Sequence, residues 1–109
     1  MGFSLVVMGN AHKELVKLPA GLQAALIDAM DDLEKVGPSL REPHVRDMGH
    51  GLKELRITAP EGIARGFFFF HVRKQIVVVH FLHKKTQKTL LASLHLARER
   101  MMKVKRMQE

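Results

Sequence analysis

The chain has 109 residues, 46% of them hydrophobic, no cysteine and a net charge of +7. That length fits one domain, residues 1–109, around one core, and the lack of cysteine excludes disulfides and thiolate metal sites. No apolar run approaches the ~18 residues of a membrane helix, and the N-terminus MGFSLVVMGN lacks the basic and long apolar regions of a signal peptide, so a cytoplasmic protein with no membrane role is expected.

In chain order, the apolar run Phe3–Met8 has strand character. Asn10 suits the N-cap of a short helix, His12–Leu18, stopped before Pro19. Leu22, Ala25, Leu26, Ala29, Met30, Leu33 and Val36 recur at spacings of three and four. They predict one apolar face of a helix from about Ala20 to Val36, ended by Gly37 and Pro38. Residues 37–51 read as a loop by composition. Leu52–Thr58 alternates, with Glu54 and Arg56 on one side and Leu55 and Ile57 on the other. After the turn at Pro60-Glu61-Gly62, Ile63–Val72 places Arg65, Phe67, Phe69 and His71 on one face and Ala64, Phe68, Phe70 and Val72 on the opposite one. Arg73-Lys74 makes a short turn into Gln75–Leu82, apolar on both faces as a central strand is. Leu90, Leu91, Leu94, Ala97, Met101 and Val104 stripe a last helix from about Thr89 to beyond Val104. The expected fold is α+β, a small antiparallel sheet in the order β-α-α-β-β-β-α with the helices packed on one face.

The charge is unevenly spread. Residues 1–54 carry more carboxylates than Lys and Arg, whereas between Glu61 and Glu99 there is no acidic residue at all. That segment holds Arg65, Arg73, Lys74, Lys84, Lys85, Lys88, Arg98 and four histidines. A field of one sign draws a polyanion and speeds its encounter. Three successive strands each offer a cation: Arg56, Arg65, and Lys84 with Lys85 at the end of the third.

Several segments follow in order: His44-Val45-Arg46, Gly51-Leu52-Lys53-Glu54-Leu55-Arg56, Ala64-Arg65-Gly66-Phe67-Phe68, and Val79-His80-Phe81-Leu82-His83-Lys84-Lys85-Thr86-Gln87-Lys88-Thr89. Together they resemble the phage-derived, HigB-like branch of the RelE/ParE toxin superfamily over about Leu15 to Arg100. The resemblance implies a RelE-like fold and the toxin of a type II toxin–antitoxin pair. Its implied activity is metal-independent mRNA cleavage on the ribosome, with no cofactor. The implied partners are mRNA, the ribosome and a cognate helix-turn-helix antitoxin. ParE-like members share the fold and inhibit DNA gyrase without catalysis; a non-catalytic RNA-binding module is the third reading. The chain contains no tyrosine, so a mechanism using a C-terminal tyrosine as acid or base does not operate here, and Ala64 and Gly66 flank Arg65 where the family often has aromatics.

Metal-independent RNA cleavage needs a base for the ribose 2′-OH, cations for the charge growing at phosphorus, and an acid for the departing 5′-oxygen. Histidine suits proton transfer near neutrality, and Arg or Lys the charge. The candidate catalytic residues are Arg65, Lys84, Lys85, His83 and His71; the candidate RNA contacts are Arg56, Lys88, Arg98 and His50. Each has a plainer reading. Arg65 and Arg56 can pair with Glu54, Lys84 and Lys85 can sit on a solvated turn, and His80, mid-strand among apolar neighbours, reads as a satisfied core histidine. Phe67–Phe70 can form a stacking platform for bases or pack into the core. The basic segment Arg98–Arg106 can contact ribosomal RNA, contact an acidic antitoxin, or be a solvated tail. No HxxxH or HExxH spacing suggests zinc.

Overall fold

The structure, a computed structural model, describes residues 2–40, 44–84 and 91–107. Five strands and three helices follow one another as β1 (Ser4–Val7), α1 (Gly9–Leu15), α2 (Ala20–Val36), a 3-10 turn (Gly37–Ser39), β2 (Val45–Gly49), β3 (Leu52–Ala59), β4 (Gly62–His71), β5 (Gln75–Lys84) and α3 (Leu91–Met107). The α+β class and the β3–β4–β5 meander are as expected.

α2 forms because Leu22, Leu26, Met30 and Leu33 repeat on one buried face. It begins after Pro19, whose carbonyl accepts from the Leu22 and Gln23 amides. It ends at Gly37, which adopts φ 54°, and a side chain there would run into the Phe3 ring. The shorter α1 begins one turn earlier than expected. Met8 takes the N-cap position without a side-chain hydrogen bond, and Asn10 lies inside the helix.

The strands form one sheet in the order β1-β5-β4-β3-β2. β1 pairs with β5 in parallel, and every other pairing is antiparallel. The sheet is therefore mixed rather than purely antiparallel. β2 is an addition to the expected elements. It lies in the segment read as a loop and joins β3 through a tight turn in which His50 and Gly51 both have positive φ, the geometry that matches strand twist in two-residue hairpins.

The helices are not all on one face, which corrects the sequence-based expectation. Leu22, Leu26, Met30 and Leu33 of α2 pack with Leu55, Ala64, Phe68, Ile76, Val78 and Phe81, and α1 joins them through Ala11 and Leu15. Ala97, Met101 and Val104 of α3 pack with Leu52, Phe67, Phe69, Val77 and Val79 on the opposite side. The reason is in β4 and β5. Adjacent residues of a strand point to opposite faces, and here both sets are large and apolar. Each buried Phe or Val contributes about 1.5–3 kcal/mol, so both faces gain from a helical cover.

Candidate functional site

The alternation along β5 is interrupted once. Phe67 of β4 pairs with His80 and Phe68 with Val78, which leaves Val79 without an opposite residue. This bulge puts Val79 and His80 on the same face. Val77 and Val79 pack under α3, while Phe81, two residues further on, packs under α2. The bulge therefore brings His80 and Leu82 onto the α3 side and sends Phe81 and His83 to the α2 side.

Two cross-strand rows result on the α3 side. Arg46, Glu54, Phe67 and His80 lie directly opposite one another across β2, β3, β4 and β5. Arg56, Arg65 and Leu82 form the next row. Glu54 is fully enclosed and divides its carboxylate between the rows. One oxygen lies 3.3 Å from Nη2 of Arg56 and the other 3.2 Å from Nε of Arg65. Arg65 is also fully enclosed, whereas Arg56 is partly exposed and Arg46 is open to solvent. Burial lowers the Arg65 pKa, Glu54 raises it, and Arg56 and Arg46 lower it again, with a net shift downward; the guanidinium still keeps its proton at ordinary pH. Two guanidiniums thus meet one carboxylate and Arg46 stands opposite it in register, a local excess of positive charge that suits an anion approaching from the Arg46 and Arg56 side.

The other end of the first row is held from two helices. Nδ1 of His80 lies 2.8 Å from Oε1 of Glu14 in α1, and the ring stacks on Phe67 with 12° between planes and 5.7 Å between centroids. Arg100 of α3 donates from Nη1 to Glu14 at 3.0 Å and to the Val79 carbonyl at 2.8 Å. The Phe81 amide donates to the same carboxylate at 3.1 Å. Burial alone would raise the Glu14 pKa, but Arg100, His80 and the Phe81 amide together bring it below its ordinary value. Nε2 of His80 is buried, with no hydrogen-bond partner among the described residues. His80 and Arg65 are diagonal neighbours on adjacent strands, roughly 7–8 Å apart at the backbone.

The expected site residues are dispersed. Arg56 and Arg65 come together. His83 pairs in register with Ala64, and its Nε2 lies 2.9 Å from the Glu61 carbonyl; it faces away from Arg65 because of the bulge. His71 shares the Arg65 face but sits six residues along β4, about 20 Å away at ~3.4 Å per residue. His50 occupies the β2–β3 turn. Arg98 donates from Nη2 to the Met48 carbonyl at 2.8 Å, which ties α3 to that hairpin. Phe67 and Phe69 are enclosed under α3 and offer no stacking surface. Lys84 ends β5 opposite Ile63. Lys85 and Lys88 lie outside the described residues, as does the start proposed for the last helix at Thr89. Arg46 and His80 are the residues that the expected set omitted. The signal for Arg46 was the two-residue turn at His50-Gly51, which makes the preceding run a strand and places Arg46 across from Glu54.

Among the described residues no three His, Asp or Glu side chains converge as a metal cage needs. No helix among them is long and apolar enough to cross a membrane.

A search of curated proteins finds no match. Among solved structures, an arginine-to-alanine double mutant of the E. coli toxin RelE in the free state superposes with a TM-score of 0.63 at 16% identity, covering 94% of this chain and 97% of that one. The RelBE2 toxin–antitoxin complex of Mycobacterium tuberculosis gives a TM-score of 0.58 at 21% identity, covering 77% and 100%. The archaeal RelE–RelB complex of Pyrococcus horikoshii gives 0.57 at 17% identity, covering 81% and 100%. These likenesses establish a shared fold. The family described as phage derived protein Gp49-like (DUF891) matches residues 13–102. The chain has the fold of the RelE toxins and belongs to the phage-derived Gp49-like family.

Proposed function

We propose that this protein is the toxin of a type II toxin–antitoxin pair and that it cleaves mRNA on the ribosome at the arginine rows of its sheet. The observation that carries this reading is the pair of guanidiniums on Glu54, with Arg46 opposite it in register, beside an imidazole oriented by Glu14. Arg46 and Arg56 meet a phosphodiester first, and Arg65 beneath them adds its field. A charge-assisted contact of this kind contributes about 2.7–4 kcal/mol when it strengthens in the transition state.

In the proposed step Nε2 of His80, buried in the free protein, is uncovered as RNA binds and takes the proton of the ribose 2′-OH. The 2′-oxygen bonds to phosphorus, and the bond from phosphorus to the 5′-oxygen breaks. The 5′-oxygen takes a proton from water, leaving a 2′,3′-cyclic phosphate and a free 5′-hydroxyl. Glu14 holds the imidazole in the tautomer whose Nε2 accepts, as a carboxylate does for histidine in other proton-transfer pairs. The solved complexes with RelB antitoxins support an antitoxin as the partner, and the resemblance to the HigB-like branch points to one of the helix-turn-helix kind.

The test is pulse-labelling of protein and DNA synthesis after brief induction in bacteria, comparing the wild type with Arg46→Ala/Arg56→Ala, whose folding is checked by urea unfolding because Arg56 pairs with the enclosed Glu54. An early fall in protein synthesis that the double substitution abolishes supports the reading. A fall in DNA synthesis with translation intact replaces it with gyrase inhibition.

A further inference from the structure

A second group of cations gathers at the opposite end of the sheet, and neither the arginine rows nor the proton-transfer pair uses it. Its centre is Phe69. Nζ of Lys105, in the last turns of α3, lies 5.5 Å from the Phe69 ring centroid. The His71 ring meets the edge of Phe69 at 5.4 Å between centroids. The same Lys105 nitrogen is 3.8 Å from where a side chain on Gly51 would begin. The end of β4, the β2–β3 turn and the C-terminal end of α3 therefore converge on one ring. His50 stands in that turn and Arg73 in the β4–β5 turn, both exposed, and Lys103 and Arg106 are exposed on α3.

Two features distinguish this group from a merely soluble surface. First, two basic residues here occupy left-handed backbone positions, His50 at φ 57° and Arg73 at φ 59°. Asparagine or glycine takes such positions at less cost. Second, the neighbouring acids are engaged or few. Asp47 turns its carboxylate onto the Gly49 amide at 3.1 Å, and Glu99 is the one acid within α3.

We propose that this end of the sheet is a second binding surface for the phosphodiester backbone of RNA, its centre about 14 Å from Arg65 at ~3.4 Å per residue. The proposal shares with the reading above the choice of RNA as ligand but does not need cleavage. A strand held at the arginine rows reaches this surface only if it extends several nucleotides beyond the bound phosphate. Length dependence of binding is therefore the signature.

The experiment measures fluorescence anisotropy of labelled single-stranded RNA, a trinucleotide and a dodecanucleotide, over a potassium chloride series. It compares the full-length wild type, Arg73→Ala/Lys103→Ala/Arg106→Ala, and Arg46→Ala/Arg56→Ala. Lys105 is kept because it packs on Phe69. The wild type is expected to bind the dodecanucleotide more tightly than the trinucleotide. The triple variant is expected to lose that advantage, with a log–log salt slope smaller by about two, at ~0.7 per phosphate contact on single strands. Trinucleotide binding should survive in the triple variant and fall in the arginine variant. Unchanged dodecanucleotide affinity and slope in the triple variant overturn the proposal, as does a wild type that binds neither RNA. Length-dependent, salt-sensitive binding by a protein whose induction leaves protein synthesis intact keeps this surface and removes the ribonuclease reading instead.

Discussion

Arg65 and Glu54 are both fully enclosed, and Nε of the arginine lies 3.2 Å from a carboxylate oxygen of the glutamate. They sit on neighbouring strands as diagonal partners, so the register of β3 on β4 creates the contact. An enclosed charge whose counter-charge is removed costs about 3–5 kcal/mol, because desolvation of the survivor is no longer offset. Glu54→Ala is expected to destabilise by that amount in urea unfolding. Glu54→Gln keeps the shape and one acceptor, and is expected to cost clearly less. Equal losses in the two variants would mean that shape, not charge, matters at this position.

Glu14 gives the protein an acid-sensitive tie between α1, β5 and α3. Its folded-state pKa is depressed, so its stabilisation is present above the ordinary glutamate value near 4.5 and fades as pH falls through the lower folded-state value. The wild type is expected to lose thermal stability more steeply than Glu14→Gln below about pH 4.5. Parallel curves of Tm against pH for the two proteins would show that the Arg100 and His80 contacts do not favour the charged form.

His80→Gln separates proton transfer from packing. Glutamine retains polar contact near Glu14 but cannot accept and hold the proton. If His80 is the base, cleavage falls by about 10²–10⁴-fold while RNA affinity is kept. A lowered Tm with unchanged cleavage would return His80 to the role of a buried structural side chain.

Gly37→Ala tests the junction between α2 and the N-terminal strand. The residue has φ 54°, and an added methyl group meets the Phe3 ring. Left-handed strain costs of order 1–3 kcal/mol for a residue other than glycine, and the clash adds to it. The expected result is a drop of that size in urea unfolding, with RNA binding unchanged, because Gly37 lies on the α2 side of the sheet.

Much of this arrangement is legible in the residues. The apolar spacing from Leu22 to Val36, bounded by Pro19 and Gly37, marks α2 to its observed ends. Alternation along β4 puts Arg65, Phe67 and Phe69 on one face and Phe68 on the other, as found. Glu54 and Arg56, two apart on one strand, had to share a face, so their ion pair was available to a sequence reading. β2 escaped notice because Val45–Gly49 is short and carries Arg46 and Asp47, residues that look like loop until pairing with β3 hides their backbone.

What the sequence determined is local: helix spans, strand spans, the side of its strand on which each β3 and β4 residue lies, and the clearing of acids from residues 62–98. These follow from periodicity and turn chemistry, which act over a few residues. The tertiary structure decided which face α3 covers, which cations meet, and which histidine stands beside Arg65. All three depend on register between distant strands. One unpaired residue, Val79, reverses the facing of everything after it in β5, bringing His80 onto the Arg65 face and turning His83 away. Alternation read along a single strand cannot detect that reversal, because a bulge exists only relative to the strand it is paired with.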